Sequence, residues 1–392
     1  MNLSHIINQL AEDREQYFNA VSPPIIQTSN FVFRDFASMR AAFEDEMSDY
    51  LYTRGLNPTT DILRKKLAAL DGAEDCLVLN SGASAIFCAV VPHLKAGDHL
   101  ISVQKPYTWA WKLFDNILTR FNITTTYIDG TKIENFEAAI QPNTKLIYLE
   151  SPNSNTFELQ DLQAVASLAK KHDIITVIDN SYCTPLYQRP HEFGIDLSLQ
   201  SATKYISGHS DTVAGVLTGS KSMIKKIFDH EAHNTGAFIA PFNAWLLLRG
   251  LRTLPIRLKQ ISESTEKVVN FLKNHPSIER VYFPFDPDFP QYELAKKQMA
   301  GACGLLTIQL KPTDYQNIET FAMSLQYFLM AVSWGGHESL IIPKAVGIKP
   351  ENFDSTNPEH HLVRLYIGLE EADLLIADLA QALKQIGSVP KV

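Results

Sequence analysis

The sequence predicts an α/β protein in which a large domain on a mainly parallel sheet (residues 59–250) is followed by a smaller α+β domain (251–392). Two patterns carry this prediction. From about residue 59 to 220, short apolar runs alternate with helix-period stretches, the signature of βαβ crossovers. Runs such as IITVI (174–178) are apolar at nearly every position, which suits strands covered on both faces of a sheet. The 392 residues also exceed one ordinary domain, since about 150 residues per domain gives two or three compact units.

The elements follow in order. The opening stretch MNLSHIINQLAEDREQYF reads as an amphipathic helix, charged by residue 12 and without the apolar centre of a secretory signal. Residues 1–58 hold little that could close a core alone, so they read as an arm that packs on something else. Thr59 and Thr60 can cap a helix DILRKKLAAL (61–70), which stops at Asp71-Gly72. CLVL (76–79) reads as a strand and residues 82–93 as a helix. HLISV (99–103), TTTYI (124–128), KLIYLE (145–150) and IITVID (174–179) read as further strands between helical stretches, and DLSLQ (196–200) as another. A helical stretch over 244–272, interrupted at Pro255, links this region to the next. There VYF (281–283), LLTIQL (305–310) and LVRLYIGL (362–369) read as strands, with a closing helix over 371–386.

Composition excludes several classes. The formal net charge is −8, from 35 basic and 43 acidic residues, and no basic block occurs; a nucleic-acid partner is therefore not expected. The hydrophobic fraction of 45% excludes a disordered chain. No apolar run approaches the roughly 18 residues of a membrane span, the longest being 85–91. With no secretory signal, the expected compartment is the cytoplasm. Cys76, Cys88, Cys183 and Cys303 form no CxxC pair, so no metal site is expected, and Cys76 and Cys88 read as buried thiols.

In open α/β sheets ligands gather beyond the carboxyl ends of the strands, so the chemistry is sought there. After CLVL, the small residues Asn80-Ser81-Gly82-Ala83-Ser84 open a helix, where backbone N–H groups can hold an anion. Close helix–strand packing explains the same residues equally well. No G-x-G-x-x-G or GK[ST] pattern is present, so neither a dinucleotide fold nor a P-loop is supported. Asp179, ending a buried strand, is costly unless paired; taken alone, a cap or surface turn is the better reading. Lys204, in Ser201-Ala202-Thr203-Lys204-Tyr205, would ordinarily be a solvated surface group, but a lysine in a dry site becomes an amine nucleophile. An anion cradle, an acid from a later strand and a lysine some 25 residues on are together the parts of a pyridoxal-phosphate site.

Through SLQSATKYISGHSD (198–211), SWGGHESL (333–340) and RLYIGLE (364–370), the chain resembles the Cys/Met-metabolism family of pyridoxal-phosphate enzymes, from Tyr52 to the last helix. That family includes cystathionine β-lyases, γ-lyases and γ-synthases and methionine γ-lyase. The resemblance implies the type I fold of pyridoxal-phosphate transferases. Among the branches, TKYISGHSD, ESPNS (150–154), SWGG and GLRTLPIRL (250–258) look most like bacterial cystathionine β-lyase.

The resemblance implies pyridoxal 5′-phosphate as cofactor, Lys204 as the lysine that carries it and Asp179 as the partner of its pyridinium nitrogen. It implies that Gly82 and Ala83 hold the phosphate through backbone N–H groups, helped by Ser201 and Thr203. Tyr107, in KPYTWAW, falls where the family stacks an aromatic ring on the cofactor and uses its hydroxyl in proton transfer. Tyr52 and Arg54, in YTRGLNPTT, match a pair that reaches the neighbouring subunit's phosphate, which implies a dimer sharing active sites and typically a tetramer of two dimers. Without the resemblance, the same pair reads as a surface contact. Arg364 matches the arginine for the substrate α-carboxylate, a bidentate geometry lysine cannot reproduce, and Ser333 and Trp334 line the substrate side. Ser154 stands where most branches place an asparagine near the cofactor, and Asn153 or Asn155 could substitute.

Three departures bear on the reaction. Tyr107 is followed by Thr108-Trp109-Ala110 rather than GGT, and the cysteine of methionine γ-lyases is absent from this turn. Val332 replaces a tyrosine of the bacterial β-lyases. His337 is either a substrate contact or an ordinary packed histidine. The expected reaction is α,β-elimination of L-cystathionine, or a related cysteine thioether, to homocysteine, pyruvate and ammonia. γ-Lyase or γ-synthase chemistry on the same scaffold is the alternative, and a non-catalytic regulatory protein the remote one.

Overall fold

A computed structural model describes residues 2–387, so residues 388–392 of the expected C-terminal domain lie outside the described residues. The chain forms two compact units. Among the described residues, the first comprises 2–152, 158–207 and 211–253; the second comprises 153–157, 208–210 and 254–387.

The first unit is built on seven strands: β1 (Asp75–Leu79), β2 (His99–Val103), β3 (Thr124–Ile128), β4 (Thr144–Glu150), β5 (Ile175–Asp179), β6 (Leu197–Ser201) and β7 (Gly215–Gly219). Their order is β1-β7-β6-β5-β4-β2-β3. The β3-β2-β4-β5-β6 run is parallel, whereas β7 lies antiparallel to both β6 and β1. Both faces are covered, as the apolar runs predict. Along β4, Leu146 and Tyr148 join one core with Leu77, Ala85, Phe114 and Val177, while Ile147 and Leu149 join the opposite core with Ile101, Val165 and Ile178.

β7 is the one strand of this sheet that the sequence reading lacks. Its GVLTG is bounded by glycines, which read as turn punctuation. Gly215 is required by contact instead: a Cβ there would lie 2.1 Å from the Ser81 carbonyl oxygen, so the turn after β1 rests directly on the β7 backbone.

The N-terminal segment is also shorter in helix than its pattern suggests. Only Leu3–Asn8 is α-helical, capped by the Asn2 side chain, and Ala11 takes a left-handed φ of 62°. The chain turns because Glu12 is drawn inward. Its carboxylate, 0% exposed, meets Lys66 Nζ at 3.0 Å, Arg252 at 3.0 Å and Arg14 at 2.9 Å. Lys66 Nζ, itself buried, also donates to the carbonyls of Ile6 and Ile7, whose side chains are buried too.

Pro255 does not interrupt its helix, which runs unbroken over Pro241–Lys273. Proline removes one N–H bond. Here the buried residues Leu251, Leu254, Leu258 and Ile261 keep the flanking turns packed.

The second unit carries β8 (Ile278–Tyr282), β9 (Leu305–Leu310), β10 (Leu329–Met330), β11 (Leu340–Pro343) and β12 (Leu362–Tyr366) in the order β10-β11-β12-β9-β8. All pairs are antiparallel except β10 with β11. Phe321 of the helix Tyr315–Ser324 and Leu375 and Leu379 of the helix Ala372–Leu383 pack with Ile308, Ile341 and Val363 of this sheet.

Candidate active site

In the first unit the anticipated residues converge at the carboxyl ends of β1, β5 and β6. Helix Gly82–Val90 starts immediately beyond β1 and its turn, with Ser81 as N-cap accepting the Ser84 N–H at 3.1 Å. Ser84 in turn donates its hydroxyl to Asn80 Oδ1. The N–H groups of Gly82 and Ala83 find no acceptor among the described residues, as expected of the first positions of a helix. Gly82 also packs tightly, since a Cβ there would lie 3.0 Å from Ser201 Cβ. One glycine thus serves both readings of the motif, bringing the helix start down onto the end of β6.

Asp179 closes β5 with 9% of its surface exposed. Its Oδ1 accepts the Ser181 N–H at 2.9 Å, and Ser181 Oγ accepts the Ser201 N–H at 2.6 Å. Burial pushes the Asp179 carboxyl above the usual range, while the Ser181 bonds and the nearby Lys204 charge pull it down. Lys204 follows in the turn after β6, its N–H donating to the Ser201 carbonyl at 3.1 Å. The next turn rests on the helix Pro241–Lys273 at Gly250, where a Cβ would sit 2.3 Å from the Ser207 carbonyl oxygen. Thr203 uses its hydroxyl within the loop, donating to the Ala214 carbonyl and accepting the Ala214 N–H.

Tyr107 caps the short helix Thr108–Lys112 and is 44% exposed, its N–H bound by Glu150 at 2.6 Å. Tyr52 and Arg54 are both exposed, the guanidinium lying 5.6 Å from the Tyr52 ring centre. Ser181, Glu150 and Gly250 are absent from the sequence-level site. Their contribution is to hold neighbouring backbone, which no motif records.

In the second unit, Arg364 on β12 is half-buried and donates to the Ser154 carbonyl at 3.4 Å. Asn153 is occupied by its own turn, its Oδ1 accepting the N–H groups of Asn155, Thr156 and Phe157. Asn155 is exposed, and its carbonyl accepts the Thr307 hydroxyl. Trp334 is buried, whereas Val332 is 83% exposed. Ser333 between them adopts a left-handed φ of 81°, a strained conformation for serine that binding sites commonly retain. Tyr366 Oη donates to the Gly336 carbonyl, and Glu338 accepts the Ser210 hydroxyl, pinning this turn. His337 is exposed and faces Glu338 at 3.1 Å, so it is not the packed histidine of the conservative reading.

The first unit's set fits pyridoxal phosphate. The Gly82 and Ala83 N–H groups suit a phosphate, the buried Asp179 carboxylate suits a protonated ring nitrogen, and Lys204 supplies the amine. Cys76, Cys88, Cys183 and Cys303 are all buried and none forms a disulfide among the described residues. Burial pushes the Cys88 thiol up to about 12, which makes it unreactive.

Comparison with known proteins points to the same cofactor. The family model for Cys/Met metabolism PLP-dependent enzymes matches residues 4–384. The L-methionine γ-lyase of Porphyromonas gingivalis is 39% identical over 95% of this chain and 94% of its own length. Human cystathionine γ-lyase is 36% identical over 96% of this chain and 92% of its own. The solved structure of cystathionine γ-synthase from Xanthomonas oryzae pv. oryzae, in complex with aminoacrylate and cysteine, superposes with a TM-score of 0.91 at 32% identity, covering 99% of both chains. These relatives are γ-lyases and a γ-synthase, so the motif likeness to bacterial cystathionine β-lyase does not extend to a specific β-lyase assignment. The chain belongs to the Cys/Met-metabolism family of PLP-dependent enzymes, with their type I α/β fold and with pyridoxal phosphate as its cofactor.

Proposed function

We propose that the protein is a carbon–sulfur lyase that eliminates the γ-substituent of a sulfur-containing amino acid. The observation that carries this reading is the full-length similarity to L-methionine γ-lyases and cystathionine γ-lyase. The cofactor supplies an electron sink for charge developing at the substrate Cα. Lys204 takes the Cα proton, Asp179 keeps a proton on the ring nitrogen, and the N–H groups of Gly82 and Ala83 hold the phosphate. Tyr107 covers the ring and delivers a proton to the departing sulfur. Arg364 holds the α-carboxylate, and Ser333, Trp334 and Ser154 shape the surroundings. γ-Elimination also needs a proton removed from Cβ, which Lys204 would take only after passing on the Cα proton.

α,β-Elimination of L-cystathionine is the second reading. It is favoured by TKYISGHSD and by the absence of a cysteine from the turn after Tyr107. Aminoacrylate, bound to the Xanthomonas γ-synthase, is the fragment that β-elimination leaves. Product analysis separates the readings. 2-Oxobutyrate from methionine or cystathionine supports γ-elimination, pyruvate supports β-elimination, and cystathionine formed from cysteine and an acylated homoserine supports synthase activity. A Lys204→Ala variant with undiminished keto-acid production overturns the assignment of Lys204.

The exposed Tyr52 and Arg54 complete the site of a neighbouring copy in this reading, which requires at least a dimer and allows a tetramer. Mixing Arg54→Ala protein with Lys204→Ala protein then restores part of the activity that each lacks alone. No recovery, with mixed dimers shown to form, refutes the shared site.

A further inference from the structure

Glu150 is buried, 3% exposed, yet no step of the proposed reaction uses it. It is the last residue of β4 and stands in register with Asp179, the last residue of β5. Register partners on neighbouring parallel strands share a face, so two buried carboxylates end side by side. Glu150 Oε2 accepts the backbone N–H of Tyr107 at 2.6 Å, the short distance of a charge-assisted bond. The Tyr107 carbonyl in turn accepts the N–H groups of Ala110 and Trp111. Tyr107 has no side-chain cap bond, so its main chain is fixed from one side by Glu150 and from the other by its own helix turn. Its ring, 44% exposed, rises from this anchored backbone. Tyr148 adds a mark of the same cluster: its hydroxyl is buried with no partner among the described residues, and burial first, then the charges of Asp179, Glu150 and Tyr107, raise its pKa.

We propose that Glu150 is a positioning residue that sets the height of the Tyr107 ring through the Tyr107 backbone N–H. This rests on the assignment of Tyr107 to the cofactor. Displacing a group by about 1 Å can cost up to 100-fold in rate. Glu150→Ala removes the acceptor and is expected to lower kcat about 10- to 100-fold with little change in KM. It also speeds hydrogen exchange in peptides spanning Tyr107 to Trp111. Glu150→Gln retains an oxygen acceptor at the same reach and is expected to restore slow exchange and most of kcat. In the double variant with Tyr107→Phe, Glu150→Ala adds less than its single effect, since it acts through the tyrosine.

Wild-type exchange over residues 107–111 in Glu150→Ala, or full additivity with Tyr107→Phe, overturns the proposal. Should Glu150→Ala not fold, Glu150→Met, which keeps the bulk and loses the acceptor, decides on the same readouts. A Tyr107→Phe enzyme with wild-type kcat and an unaltered visible cofactor band refutes the role of Tyr107 itself. The exchange measurement still reports whether Glu150 holds this backbone, so the two failures are distinguishable.

Discussion

Glu12 makes a quantitative demand on the first unit. Its carboxylate is 0% exposed and meets three cations within 3.0 Å, of which only Lys66, at 1%, is itself buried. Arg14 and Arg252 are each 32% exposed and can rehydrate if the carboxylate is lost. Removing one partner of a buried pair costs about 3–5 kcal/mol, mostly from the charge left behind. Here the orphan is Lys66 alone, and it keeps the carbonyls of Ile6 and Ile7, so Glu12→Gln is expected at the lower end, about 3 kcal/mol. Lys66→Met removes the buried cation with a similarly long apolar chain but strands those two carbonyls, for about 2 kcal/mol. The double variant is expected to cost at least about 1 kcal/mol less than the sum, because Lys66→Met removes the cation that Glu12→Gln orphans. Urea unfolding gives these values, and limited proteolysis of the first 15 or so residues reports release of the N-terminal segment. A Glu12→Gln loss below about 1 kcal/mol, the range of an exposed pair, refutes the reasoning, as does simple additivity.

Other consequences are equally direct. Gly215→Ala places a methyl 2.1 Å from the Ser81 carbonyl and is expected to cost about 1–3 kcal/mol and weaken cofactor binding, whereas Gly347→Ala, with nothing within 4 Å, changes stability by less than about 0.5 kcal/mol. Thermal melts with a pyridoxal-phosphate titration test both, and unchanged cofactor affinity in Gly215→Ala would refute the link to the Gly82 turn. His93, with a buried Nε2 lacking a partner among the described residues and Lys226 nearby, has its pKa lowered from 6.5 to about 4. The native state therefore favours neutral His93, so its contribution is full above pH 6.5 and is lost as pH falls through about 4. His93→Gln should flatten the stability profile across that window, and an identical profile would exclude His93 as its source.

What was legible in the sequence follows from what is locally encoded. Strands apolar along their length, such as LLTIQL and IITVI, declare themselves, and β9 matches its predicted bounds. Residues just beyond those strands could then be placed by topology alone, which found Gly82, Asp179 and Lys204. β7 escaped because its glycines answer to contact with Ser81 and Leu197, a tertiary demand that looks like turn chemistry in one dimension. Pro255 misled in the opposite sense, since buried leucines on either side outweigh the lost bond. Ser181 and Glu150 could not be found by residue type, because each acts on another residue's main chain.

The strand order also constrains when the cofactor site can exist. β1 is an edge strand whose only partner in the sheet is β7, with Asp75 opposite Gly219. The turn proposed to cradle the phosphate therefore waits on a segment that leaves the ribosome more than 130 residues later. Until that long loop closes, a nascent chain carrying the 80–84 turn has no backbone on which to seat it. Cofactor capture is therefore expected late in synthesis, and fragments ending before residue 215 are expected to leave a sheet edge open to aggregation.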